Sequence, residues 1–201
     1  MSDNSSEKFL FTDDNLAWAK NEISKYPKNK KSSAILALLT RAQKQNGGWL
    51  SQPAMRYVSN MLDIPYIRAW EIATFYSMFN LSPRGKYFIQ VCTTVPCCLN
   101  GSDDVLQKCK EIVAENPNEL SQNNLCSWTE VECLGACVNA PAVQINDDYF
   151  EDMDSISADK LFKSIMNDVY PEPGSQKGRK SSAPINNRIT LKKFAKNVEE
   201  R

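Results

Sequence analysis

The sequence predicts an α+β chain in two parts, a small helical bundle over residues 12–82 followed by a compact α/β domain over residues 83–170. Two observations carry this reading. Apolar residues recur at helical spacing up to about residue 80, and beyond Ser82-Pro83-Arg84-Gly85 the period switches to short alternating runs. A chain of 201 residues is also long enough to bury one substantial core, or two small ones, without disulfides.

The first helix, about 13–26, opens at Thr12 with Asp13 and Asp14 in its first turn, where the positive end of the helix dipole favours carboxylates, and stops before Pro27. A second places Ala34, Ile35, Leu38, Leu39 and Ala42 on one stripe and ends at Gly47-Gly48. The third starts at Ser51 with Pro53 near its first position and carries Met55, Val58, Met61 and Leu62. The fourth follows Pro65 and is apolar at Ile67, Trp70, Ile72, Ala73, Phe75 and Phe79. Four helices with short joints make a bundle.

Lys86 to Cys92 then reads as a strand. Ser102 caps a helix with Asp103 and Asp104 in its first turn and Val105, Leu106, Cys109, Ile112 and Val113 on its buried face. Cys126 to Cys133 alternates as a second strand, AVQIND and DYFED form a hairpin around Asn146-Asp147, and Leu161, Phe162, Ile165, Met166 and Val169 mark a last helix. The order β-α-β-β-β-α suggests an α/β domain of thioredoxin-like type. Residues 1–11 read as a flexible N-terminus. From Pro171 to residue 201, Pro, Gly, Ser and Lys dominate, and this basic tail is expected to be extended and to order only against a partner.

The formal charge is zero, so neither nucleic acid nor an anionic membrane is the expected partner. That balance hides a local +5 on residues 171–201 and −5 on the rest. No stretch approaches the roughly 20 apolar residues of a membrane-spanning helix, so direct membrane insertion is not expected. The acidic start, MSDNSSEKFLFTDD, lacks the marks of a secretory signal or a mitochondrial transit peptide, which favours a protein that stays where it is made. The chain has no histidine, which removes the commonest general base and any His-ligated metal, and with them Ser-His or Cys-His nucleophilic catalysis. No G-x-G-x-x-G or phosphate-loop motif occurs, so no catalytic residue is assigned and chemistry must come from a cofactor or a partner.

The cysteines supply the chemical signal. Four of the seven form two close pairs, Cys92/Cys97 in CTTVPC and Cys133/Cys137 in CLGAC, each in loops after strand ends. A thioredoxin-like sheet could bring those loops to one edge, where four thiolates could enclose an iron-sulfur centre. Such a centre needs backbone N–H groups directed at sulfur, and Gly101 and Gly135 would let the backbone approach closely. Structural zinc is the competing reading, with disulfides or plain core cysteines as a third. A dithiol redox site would need C-x-x-C, which is absent. Cys109 reads as core, Cys126 as a strand residue, and Cys98 as an alternative ligand beside Cys97. The acidic pairs Glu130/Glu132 and Asp147/Asp148 read as solvated faces.

CTTVPC followed by ECLGACVNAPAVQIND resembles the thioredoxin-like 2Fe-2S ferredoxin subunit of NADH:quinone oxidoreductase, respiratory complex I. The upstream runs RAQKQNGGWLSQPAMRYV and IPYIRAWEIATFYSMFNLSPRGKY resemble the helical part of the same subunit, so the likeness covers about residues 12–170. The resemblance implies one 2Fe-2S cluster on Cys92, Cys97, Cys133 and Cys137. Cys98 departs from the family pattern, which usually has another residue after the second ligand. It implies a subunit that exchanges single electrons with FMN on a partner flavoprotein that binds NADH, packed among other peripheral-arm subunits. It further implies a place at the cytoplasmic face of a bacterial inner membrane or, alternatively, on the matrix side of the mitochondrial one. The equivalent diaphorase subunit of an NAD-linked hydrogenase or formate dehydrogenase, and a zinc-stabilised scaffold without a redox role, are the other readings.

Overall fold

The computed structural model describes residues 8–185; the sequence readings for residues 1–7 and 186–201 fall outside them. The chain divides into two compact units between Arg84 and Gly85.

In the first unit, helix α1 (Asp13–Ser24) begins where the Thr12 hydroxyl accepts the Asn15 amide. A 3-10 stretch, Lys28–Ala34, leads into α2 (Ile35–Gln45), and α3 (Gln52–Leu62) starts at Ser51, whose Oγ accepts the Ala54 amide at 3.3 Å. Their apolar stripes meet in a core that includes Leu38, Leu39, Ala42, Met55, Val58 and Leu62. The fourth helix, α4 (Tyr66–Phe75), departs from the expected apolar run. It buries Ala69 and Ala73, while Ile67 and Phe75 are 55% and 80% exposed, and Phe79 packs into the core from beyond the helix end. The reason is angular. Each residue turns the helix by about 100°, so a position two away from Ala69 or Ala73 lies about 200° round, on the opposite side.

The second unit is built on a five-stranded mixed sheet in the order β2-β1-β3-β4-β5. Central β1 (Tyr87–Cys92) runs parallel to β2 (Cys126–Val131), with Tyr87 opposite Cys126 and Cys92 opposite Val131. On its other side β1 pairs antiparallel with β3 (Val143–Ile145), which forms a hairpin with β4 (Asp148–Glu151) through Asn146 at φ 56. A single turn of helix, α5 (Val95–Leu99), follows β1 and precedes α6 (Ser102–Ile112). Sequence periodicity could not reveal an element only five residues long. Gly101, at φ 95, holds the N-cap of α6 in place of the expected Ser102; Ser102 becomes the first helical residue, and its buried hydroxyl has no partner among the described residues.

Helix α7 (Ser155–Met166) starts with a reciprocal cap between Asp154 and Ser157, packs beside α6 and buries Ala158, Leu161, Phe162 and Ile165. Val169, expected on the same stripe, lies past the helix end and is exposed. Tyr87, Ile89 and Val91 of β1 join Trp128, Phe150, Phe162 and Ile165 in one core, and the Trp128 indole N–H donates to the Ala114 carbonyl at 2.7 Å. Part of the segment from Pro171, expected to order only against a partner, orders on this chain itself. Strand β5 (Gly174–Ser175) adds in parallel to β4, whose outer edge presents unpaired backbone groups that template a further strand.

Phe162→Ala removes a fully buried ring and is expected to destabilise the second unit by about 3–5 kcal/mol, whereas Phe75→Ala at an exposed position is expected to change stability by no more than about 0.5 kcal/mol. Urea unfolding followed by circular dichroism measures both.

Candidate metal centre

The parallel pairing of β1 with β2 decides where the cysteines lie. Cys92 is the last residue of β1, opposite Val131, the last of β2, so the two following loops leave the same end of two adjacent strands. The first loop turns at once into α5, which carries Cys97; the Cys97 amide bonds the Thr94 carbonyl at 2.8 Å. The second carries Cys133 two residues beyond β2, then Gly135, then a 3-10 turn, Cys137–Asn139. Thr94 ties the loops together by donating to the Glu132 carbonyl, which also accepts from the Cys92 thiol at 3.1 Å.

The four thiols predicted from spacing come together as two pairs. Cys133 and Cys137 have their sulfurs 3.8 Å apart. Cys92 and Cys97 are near enough to shift each other's ionisation, and Cys137 is close enough for its charge to act on Cys97 and to feel that of Cys92. A tetrahedral metal with bonds of about 2.3 Å to sulfur separates two of its sulfurs by about 3.8 Å, the spacing seen for Cys133 and Cys137. Among the described residues no three Cys, Asp or Glu side chains are placed to hold a single metal ion. The donor set is all thiol, which suits iron-sulfur or zinc and not a hard, oxygen-seeking cation.

The backbone donors expected around such a centre are present. The Gly135 amide points at Cys133 sulfur from 3.3 Å, a direction reached because Gly135 sits at φ 77, where a side chain would be strained. Burial opposes ionisation of Cys92, yet the amides of Leu134 and Thr94, the Thr94 hydroxyl and Cys97 outweigh it and hold this thiol below its ordinary value. Cys97 goes the other way: burial, then the neighbouring Cys92, pushes it up to about 11, with the Ala142 amide acting against the rise. Cys137 is raised by its bond to Cys133, then by burial. One easily ionised thiol beside reluctant ones is what thiols sharing one site show, since each negative charge disfavours the next. A bound cation offsets that mutual repulsion.

The remaining cysteines separate by burial. Cys98 is exposed beside fully buried Cys97, and its side chain leaves the pair on the outer side of α5. Cys109 is sealed in the core, its thiol pushed upward by burial alone. Gly101, expected near sulfur, instead caps α6. Sequence reasoning missed the donors Leu134 and Ala142, because any residue but proline supplies an amide. It also missed Asn139, although this residue stands in the quoted CVNAP run. Glu130 accepts from Thr93, and Asp148 accepts from Tyr170 at 2.9 Å, so one member of each acidic pair has a partner.

The thioredoxin-like 2Fe-2S ferredoxin family profile matches residues 19–166. This chain belongs to that family. It is 56% identical to an NADH-quinone oxidoreductase subunit of Rickettsia typhi over 161 residues, 80% of this chain and 95% of that protein. It is 43% identical to NADH dehydrogenase (ubiquinone) flavoprotein 2, mitochondrial, of Dictyostelium discoideum, over 91% of this chain and 74% of that protein. Among solved structures, an NAD+-reducing NiFe-hydrogenase in the H2-reduced state superposes with a TM-score of 0.56 at 21% identity, covering 66% of this chain and 22% of the hydrogenase chain. This likeness is one of fold, and the chain spans only about a fifth of that protein. The family is one of iron-sulfur proteins, and the four thiols with their amide donors fit such a cluster.

The Cys126 thiol is pushed from 9.0 up to about 11, by burial first and by the Asp168 carboxylate second. Between those values the unfolded chain releases the proton while the folded one retains it, so stability is present below pH 9 and is lost as pH rises towards 11. Metal-free Cys126→Ala is therefore expected to lose less stability than the parent over this window, by up to about 1.4 kcal/mol per pH unit. Urea unfolding of both at pH 8.5 and 10.5 measures the difference.

Proposed function

We propose that this chain is the iron-sulfur electron-transfer subunit of a proton-pumping NADH:quinone oxidoreductase, exchanging single electrons with FMN on a partner flavoprotein that binds NADH. The observation that carries the reading is the convergence of four thiols from two strand-end loops with amides directed at sulfur, in a chain of this family. The names of its relatives at 43–56% identity support the assignment to that oxidoreductase.

Cys92, Cys97, Cys133 and Cys137 would hold one 2Fe-2S cluster. Such a cluster supplies a one-electron couple. The chain's own part is to fix the thiolates in two pairs, to aim the Gly135, Leu134, Thr94 and Ala142 amides at the sulfurs, and to limit water on the buried side, where Cys92 and Cys97 are each only 1% exposed. On the open side the thiols are flanked by apolar residues: Val95 and Leu99 on the helix of Cys97, and Val138 next to Cys137, 66%, 81% and 62% exposed. Exposed apolar residues around a redox site favour close docking of a protein partner, and a short path for the electron. No helix among the described residues is long and apolar enough to cross a membrane, so attachment would run through other subunits, at the cytoplasmic face of a bacterial inner membrane or the matrix side of a mitochondrial one.

Low-temperature EPR with iron and acid-labile sulfide analysis on anaerobically purified protein tests the cluster. Two irons and two sulfides per chain, with a rhombic spin-half signal on dithionite reduction, are expected; stoichiometric zinc with no reducible signal refutes the electron-transfer role. Cys137→Ala is expected to abolish the signal and Cys98→Ala to preserve it. Co-purification with an FMN-containing subunit, and not with a hydrogenase or formate dehydrogenase catalytic subunit, distinguishes the respiratory complex from the related diaphorases.

A further inference from the structure

We infer that residues 174–181 form a strap that positions the Cys137 turn, so that the C-terminal segment controls how tightly the cluster is held and at what potential. The inference rests on Cys137 being a cluster ligand. It starts from Asn139, the last residue of the short turn that begins with Cys137. Asn139 is 1% exposed. Its Nδ2 donates to Glu151 Oε2 at 2.6 Å and to the Ser181 carbonyl at 2.9 Å, and its own carbonyl accepts the Asp152 amide at 2.7 Å.

Asp152 extends the connection. It is as buried as Asn139, its Oδ2 accepts from Ser175 Oγ at 2.6 Å, and its Oδ1 faces the Arg179 guanidinium at 3.0 Å. Ser175 Oγ in turn accepts the Lys177 and Arg179 amides, folding the strap on itself, and the Gln176 amide continues the β4–β5 pairing by donating to the Glu151 carbonyl at 2.8 Å. The far side of the cysteine loop is tied separately, where the Tyr149 hydroxyl donates to the Leu134 carbonyl at 3.1 Å. The CLGAC loop is thus fastened at Leu134 by β4 and at Asn139 by the strap.

A buried carboxylate and a buried amide are costly unless partnered, and residues 174–181 supply the cation, the hydroxyl and one carbonyl that partner them. Among the described residues Asn139 Oδ1 and Arg179 Nε are nevertheless buried without a partner, so an apolar contact would seal this sheet edge at less cost. What the polar clamp adds is direction: Asn139 can satisfy Glu151, Ser181 and Asp152 in one placement only, and that placement sets the turn of Cys137. The angle of a ligating loop governs amide-to-sulfur bonds and solvent access, which set the retention and the potential of a thiolate-held cluster. No side chain of the strap touches a cysteine sulfur in the described contacts, so Asn139, Asp152 and Arg179 are positioning residues.

The test uses the full chain carrying its cluster, prepared anaerobically as parent, Asn139→Ala, Arg179→Ala, Arg179→Lys and, as a surface control on the strap, Lys180→Ala. Three quantities are read on each: the rate of bleaching by an iron chelator, the midpoint potential from an EPR-monitored titration, and the thermal midpoint by circular dichroism. Asn139→Ala and Arg179→Ala are expected to bleach at least tenfold faster and to shift the midpoint potential, Arg179→Lys to recover part of both, and Lys180→Ala to match the parent. Parent-like bleaching and potential in the first two overturn the inference. So does a lowered thermal midpoint with an unchanged potential, which reduces the strap to a structural brace. Should Arg179→Ala fail to fold, Ser175→Ala removes one contact of the clamp while leaving the ion pair, and the same outcomes apply. Cys137→Ala separates the two readings: if it keeps its cluster, the ligand assignment falls and the strap's role with it; if it loses the cluster while the clamp variants match the parent, only the strap's role falls.

Discussion

The parallel pairing of β1 with β2 is the constraint on which the second unit depends. Antiparallel neighbours connected in sequence would send the loops after Cys92 and Val131 to opposite ends of the sheet; parallel ones send them to the same end, about one strand spacing apart. Parallel strands need a long crossover, and α5, α6 and the segment before Cys126 provide it while covering one face of the sheet. The hydrophobic core and the cysteine site therefore have one cause. The register that buries Ile89, Val91 and Trp128 also sets Cys92 beside the start of the CLGAC loop.

Within that frame the site is graded from dry to wet. Cys92 and Cys97 sit on the buried side and Cys133 and Cys137 on the exposed side. Three apolar residues near the cysteines in sequence, Val95, Leu99 and Val138, are exposed as well. The amides directed at sulfur come from residues of both loops and from Ala142, before β3. Negative charge gathered on thiolates at the sheet edge is stabilised by fixed backbone dipoles, a device suited to a chain without a single histidine and with no lysine or arginine among the residues linking the paired cysteines.

The polar clamp around Asp152 ties a peripheral segment to the turn that begins at Cys137. Its members come from the Cys137 turn, from the end of β4 and from residues 174–181, elements far apart in sequence. Each contact alone is worth little. Held together in a dry environment they are coupled, because removing one leaves a buried polar neighbour short of a bond.

The sequence by itself determined the two-part α+β organisation, the helix starts at Thr12 and Ser51, the hairpin around Asn146 and the pairing of the four cysteines. All of these are local: caps, turn residues and short spacings act over a few residues of chain. Tertiary structure decided the rest. Which face of α4 is buried was not legible, because apolar residues occur all round that helix and only packing chose Ala69 and Ala73 over Ile67 and Phe75. The choice of Cys97 over Cys98 as the inward thiol follows from the single turn of α5, too short to leave a periodic trace. The composition of the basic tail is that of a linker that orders only against a partner; the order of residues 174–179 comes from the open edge of β4 and from the buried charge of Asp152, neither of which exists until the sheet has formed.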